Sequence, residues 1–141
     1  MKLKVSRADF WIVTIEDRAG GVADKLDPLA QAGANFEFVF GRRTPEQPGK
    51  GILFVFPVKG AKVSKAARDA GFAKSDQVHS VRIEGQNRPG VATKIAQALA
   101  NAGLSFRALS ATAVGRNFVA YVACDTAADA AKAVSVLKKL A

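Results

Sequence analysis

The chain has 141 residues, 49% of them hydrophobic and 23% charged, with a formal net charge of +9. That balance excludes a disordered chain, and the length suits one ordinary domain or two very small ones sharing a core. The longest apolar run, Ile52–Val58, is far too short for a membrane-crossing helix. The segment Met1–Arg7 lacks an apolar signal core, so a cytoplasmic location is expected.

One cysteine, Cys124, excludes an internal disulfide and a cysteine metal cluster, and its apolar surroundings predict a buried thiol. The basic surplus divides nearly evenly between residues 1–75 and 76–141, with no polybasic run. Dispersed charge of this kind favours encounter with acidic partners without defining a site.

In chain order, Phe10–Ile15 reads as a buried strand. Gly20-Gly21 then opens a helix with Val22, Leu26, Leu29 and Ala30 at helical spacing, closed by Ala32-Gly33. Pro28 inside it predicts a kink or a late start. The alternation in Asn35–Phe40 predicts a half-buried strand with Phe36 and Phe38 on one face. Residues 41–51 read as a long hairpin loop, 52–58 as a buried strand and 60–71 as a short helix. A further short strand is expected near Gln77-Val78-His79.

The order then recurs, with a strand at 81–84, a helix at 90–102 and strands at 104–114 and 118–124. A turn at Gly115–Asn117 joins the last two strands. A final helix runs from Thr126 to Leu140, with Thr126 as its N-cap.

An offset of 70 residues superposes the two halves without gaps from first strand to second. Val13 meets Ile83, Asp17 meets Asn87, Arg18 meets Arg88, Gly20 meets Gly90, Leu29 meets Leu99 and Phe36 meets Phe106. That register identifies an internal duplication. The expected repeats are residues 1–79 and 80–141, each βαββα. A fourth strand is expected in the first copy and none in the second, which leaves an edge for another subunit to cover. The implied architecture is α+β, antiparallel sheets with helices on one face.

The loop Asn87-Arg88-Pro89-Gly90-Val91 joins a strand to a helix start, whose first N–H groups lack intrahelical partners and suit a carboxylate. Asp17-Arg18-Ala19-Gly20-Gly21 is its echo. A strand, Asp/Asn-Arg-(Pro)-Gly, a helix, Ala-Gly-x-Asn (with Ser105 for the Asn in the second copy) and a second strand, in the same order twice, resemble the ACT family of small-molecule-binding regulatory domains. The resemblance implies two tandem ferredoxin-like βαββαβ repeats and an amino acid bound where copies pair.

The resemblance also implies two pseudo-equivalent pockets. One joins Asn87, Arg88, Pro89, Gly90 and Val91 to Asn35. The other joins Asp17, Arg18, Gly20 and Gly21 to Ser105. The first is the stronger, because two side-chain amides can satisfy both the ammonium and the carboxylate of an amino acid. In the second, Asp17 repels a carboxylate. The Ala19-Gly20-Gly21 turn also lacks the family's usual proline.

No cofactor, metal or catalytic set is expected. His79 is the one histidine, and neither a Ser–His–acid nor a Cys–His arrangement is arguable. The expected function is that of a regulatory or sensor protein forming homo-oligomers and acting on a target outside these residues. The alternative is a single-stranded RNA-binding module. Lys50–Phe56 resembles the third-strand signature of RNA-recognition motifs, although Ile52 stands at the usual first ring, and Phe54 and Phe56 read more simply as core.

Overall fold

The computed structural model describes residues 2–140. Residues 1 and 141, the outer bounds of the two expected repeats, lie outside the described residues. The chain forms two compact units. One is Asp9–Ser75; the other joins the N-terminal residues through Ala8 to the chain from Asp76 onward.

The first unit contains β2 (Trp11–Glu16), α1 (Gly21–Gln31), β3 (Phe38–Arg43), β4 (Lys50–Phe56), α2 (Ala61–Asp69) and β5 (Ala73–Lys74). Its sheet order is β3-β4-β2-β5, with all pairs antiparallel. Alternation along β2 and β4 sends Val13, Ile15, Leu53 and Val55 to one face, where they pack with Leu29 of α1 and Ala67 of α2. Burying each large aliphatic side chain there contributes about 1.5–3 kcal/mol.

The second unit contains β1 (Lys4–Ala8), β6 (His79–Gln86), α3 (Val91–Asn101), β7 (Ala108–Val114), β8 (Asn117–Cys124) and α4 (Ala127–Lys138). Its sheet order is β1-β6-β8-β7. Val5, Val81, Ile83, Ala120 and Val122 share a core with Ile95 and Leu99 of α3 and Leu137 of α4. Thr126 caps α4, its Oγ1 accepting from the Asp129 N–H at 3.0 Å.

The duplication is visible bond for bond. Both α1 and α3 close with a left-handed glycine. The Ala34 N–H donates to the Leu29 carbonyl at 3.0 Å, and the Leu104 N–H donates to the Leu99 carbonyl at 3.0 Å. Each sheet places the first and third strands of its repeat at the centre and leaves the second, β3 or β7, at an edge.

The departures are local and have causes. Among the described residues, no strand follows α4 in the second repeat's own run. Its fourth position, though, is filled by β1, paired with β6 from Lys4↔Glu84 to Ala8↔Ser80. The edge beside β6 is therefore covered by the chain's own N-terminal segment rather than by a second subunit. With only Val5 and Ala8 buried, β1 shows no alternating period in the sequence.

In the first repeat the fourth strand is Ala73–Lys74, and His79 instead opens β6. The helix α1 starts at Gly21 and runs through Pro28, so the proline does not delay it. The strand expected from Asn35 begins only at Phe38. Phe36 therefore falls outside the alternation, packing against the helix-side core, while Phe38 stacks on Phe10 at 5.2 Å on the other face.

Candidate functional site

Each repeat turns from its first strand into its first helix through a glycine with positive φ, +87° at Gly20 and +84° at Gly90. An L side chain in that conformation costs about 1–2 kcal/mol, which explains glycine at both places. Backbone bonds fix both loops to the neighbouring hairpin. The Asp17 N–H donates to the Gly49 carbonyl at 3.0 Å, and the Asn87 N–H donates to the Arg116 carbonyl at 2.7 Å. Neither helix has a side-chain N-cap. The Gly21 and Val91 N–H groups turn back to the Arg18 and Arg88 carbonyls, at 3.0 and 3.2 Å, and the N–H groups that follow in each first turn have no side-chain cap.

The first loop is closed by its own ion pairs. Arg18 Nη2 lies 2.5 Å from Asp24 Oδ2 in the first turn of α1, and Arg18 Nη1 donates to the Ala19 carbonyl at 3.0 Å. Asp17 Oδ2 accepts from Arg43 Nε at 2.8 Å. Glu16 Oε1 accepts from Lys50 Nζ at 2.5 Å, and this bond, with the Lys50 charge, holds the Glu16 carboxyl below the usual carboxylate range. The adjoining cavity, about 350 Å³, is lined by Glu16, Arg18, Gly21, Asp24 and Lys25 among others.

The second loop is built differently. Arg88 donates from Nε and Nη2 to the single acceptor Gln86 Oε1, at 3.1 and 2.8 Å, so its charge meets a neutral amide. The first turn of α3 has no acidic residue. A groove of about 290 Å³ opens beside it, lined by Asn87, Arg88, Gly90, Val91, Ala92 and Thr93 on one wall and by Ala111, Thr112, Ala113 and Phe118 on the other. A second cavity, about 480 Å³, lies against the same loop and is lined by Lys2, Gln86, Arg88, Pro89, Val91 and Lys94. Pockets for small molecules typically hold ~300–1,000 Å³, so the groove suits only a small ligand.

Asn87, Arg88, Pro89, Gly90 and Val91 thus come together around one loop and its two cavities. Asp17, Arg18, Gly20 and Gly21 share the other loop, although Asp17 is turned to Arg43. Asn35 and Ser105 occupy corresponding places, exposed and between helix and edge strand, each in the unit that does not hold the glycine loop assigned to it. Sequence reasoning misses Thr93, Thr112, Phe118, Lys2 and Lys94. Thr93 and Lys94 carry a readable signal, lying one turn beyond the loop on α3; Lys2 and Phe118 arrive only through strand pairing.

Phe54 and Phe56 do not enter the helix-side core, which takes Leu53 and Val55 instead. They pack edge-on against Phe10, with centroids 6.2 and 6.1 Å away, and Phe40 packs against Phe54 at 6.1 Å. Among the described residues, no group of three or more His, Cys, Asp or Glu is placed to hold a metal ion. Nor, among them, is any helix long and apolar enough to cross a membrane.

Two antiparallel four-stranded sheets, each with the ferredoxin-like strand order and helices on one face, define a tandem α+β repeat protein. Residues 79–141 match the ACT domain family, and residues 9–75 form a second repeat with the same strand order. No curated protein matches the sequence. Among solved structures it is similar to the Bacteroides thetaiotaomicron protein BT0572, with TM-score 0.77, 21% identity, 96% of this chain covered and 89% of that one. It is also similar to the ligand-free regulatory subunit of aspartate kinase from Thermus thermophilus, with TM-score 0.65, 15% identity, 99% of this chain covered and 97% of that one. A third likeness is to E. coli aspartokinase III in complex with aspartate and ADP, with TM-score 0.58, 15% identity, 96% of this chain covered and 32% of that one. At these identities the likeness is one of fold.

Proposed function

We propose that the chain is a non-enzymatic regulatory sensor that binds an amino acid at the Asn87–Val91 loop. The observation that carries this reading is the contrast between the two helix starts. That of α1 already faces its own carboxylate, Asp24, and Asp24 is paired with Arg18. That of α3 has no acid in its first turn, and Arg88 beside it is bonded to an amide. A ligand carboxylate therefore meets a net positive loop and uncapped N–H groups at α3, and a self-neutralised loop at α1.

The ACT match over residues 79–141 includes this loop, and the fold likeness to an aspartate kinase regulatory subunit supports a regulatory role. Asn87 is the side chain assigned to the ligand's ammonium and carboxylate. Asn35 is carried as a second amide contact by the family resemblance. The Asp17–Gly21 loop with Ser105 is the weaker site. The uncharged edge strand β7, with Leu109 and Val114 exposed, supports assembly into a homo-oligomer. A ligand that binds one arrangement of repeats or subunits better than another shifts the population toward it, and so signals to a target protein.

Thermal-shift measurement against the twenty amino acids tests the reading, since a ligand that binds the folded state raises Tm with its concentration. A rise with one amino acid or a small related set supports it. No rise with any, together with salt-sensitive retention on single-stranded RNA, supports the RNA-binding alternative.

A further inference from the structure

The two repeats differ in how the strand leading to the glycine loop is supported. In the first, β5 pairs only with Trp11 and Ile12 at the far end of β2 and stops well short of the loop. In the second, β1 runs beside β6 up to Lys4↔Glu84, and the residues before it continue alongside the end of β6. Leu3 reaches the place a side chain on Gly85 would take. A Cβ built on Gly85 falls 2.7 Å from Leu3 Cδ2 and 3.4 Å from the Lys2 carbonyl oxygen. Leu3 packs against the core that includes Val91 and Phe118.

The size pattern explains why Leu3 is needed. The 70-residue offset places Gly85 at the position of Ile15, which lies opposite Gly51. Gly85 lies opposite Phe118. Each pair has one large and one small member, with the order reversed. In the first repeat the Ile15 side chain lies over Gly51, 3.0 and 3.2 Å from where a Cβ there would fall; in the second Gly85 has no side chain, and Leu3 occupies the place its Cβ would take. One residue further toward the N-terminus, Lys2 lines the cavity with Arg88, Pro89 and Lys94 and adds a cation beside the loop.

We propose that the N-terminal segment is the positioning element of the Asn87–Val91 loop. Leu3, seated over Gly85, holds the end of β6 from which the loop departs, and Lys2 contributes to the field at its cavity. Leu3 and Gly85 are positioning residues. The consequence for the ligand rests on the sensor reading above. Strand docking and ligand binding at the loop are coupled, so each favours the other by the same factor.

Amide hydrogen exchange on the ligand-free full chain tests the positioning role whether or not a ligand is ever found. Gly85→Ala displaces chiefly the flexible tip of Leu3, with the Lys2 carbonyl oxygen 3.4 Å away, so the fold is expected to survive. Exchange at residues 4–8 and 86–91 is expected to quicken on the order of tenfold, while β7 and β8 keep their protection. Leu3→Ala leaves the space beside Gly85 empty and is expected to quicken the same amides. In the double variant, Leu3→Ala with Gly85→Ala, the added methyl group refills part of that space, so the two effects combine to less than their product. Unchanged exchange at 86–91, an equal rise across β7 and β8, or strictly multiplicative effects would overturn the proposal. Failure of the amino-acid screen alone would remove the sensor reading and leave the positioning result standing. Where an amino acid does bind, it is expected to slow exchange at residues 4–8 in the parent chain and not in Gly85→Ala; equal slowing in both would contradict the coupling.

Discussion

Gly85 lies directly opposite Phe118 across β6 and β8, the reverse of the first repeat, where Ile15 of β2 faces Gly51 of β4. Both duplicated sheets thus pair one large residue with one glycine here, while exchanging which strand supplies the large one. Close packing makes such positions sensitive to single methyl groups.

The two glycines of these pairs are predicted to respond unequally. A Cβ at Gly51 falls 2.7 Å from the Arg42 carbonyl oxygen and 3.0 Å from the Ile15 side chain, so backbone has to move. Gly51→Ala is expected to destabilise the first unit by about 1–3 kcal/mol, the range for overpacking. Gly85→Ala meets chiefly the tip of Leu3 and is expected to cost less. Urea unfolding, read separately for the two units where their transitions resolve, checks the order.

The glycine loops make a second pair. At Gly21 a Cβ would collide with the Glu16 carbonyl oxygen, whereas at Gly90 nothing lies within 4 Å and only the left-handed backbone resists substitution. Gly90→Ala is expected to cost about 1–2 kcal/mol, and Gly90→Asn less, because asparagine tolerates this conformation. Gly21→Ala is expected to exceed both. Chemical denaturation of the three variants tests that ranking.

Cys124 provides a pH-dependent test. It is 1% exposed, and burial pushes its thiol above the ordinary range, with Asp129 nearby acting in the same direction. A folded thiol that resists ionisation gives stability that is present at neutral pH. That stability is lost once the pH rises above the ordinary thiol range, because the unfolded chain ionises first. Thiol reagents are therefore expected to modify the folded chain slowly and the urea-unfolded chain fast. Alkaline loss of stability is expected to shrink in Cys124→Ala.

Most of this fold was legible because the repeat wrote it twice. Helix starts at Gly21 and Val91, the closing glycines at Gly33 and Gly103 and the Thr126 cap are local signals, and the structure keeps them. The fourth strand of the second unit was not legible. Its five residues carry two buried side chains, and their pairing partner begins more than seventy residues away. The site divides in the same way. The loop residues Asn87–Val91 announce themselves by glycine, proline and register, while the opposing wall at Ala111–Ala113 consists of small residues whose role exists only once β7 is paired. Lys2 could not be read as a neighbour of Arg88 without β1.

In the proposed sensor the α3 loop, and not its echo at α1, takes the ligand. Isothermal titration of the amino acid found by screening, against Asn87→Ala, Asn35→Ala and Ser105→Ala, tests it most directly. Asn87→Ala is expected to abolish binding while keeping the fold, since the side chain is exposed and the loop is held through the Asn87 backbone N–H. Asn35→Ala is expected to weaken binding, and Ser105→Ala to leave it unchanged. Full binding in Asn87→Ala with loss in Ser105→Ala would place the ligand at the Asp17–Gly21 loop and contradict the account.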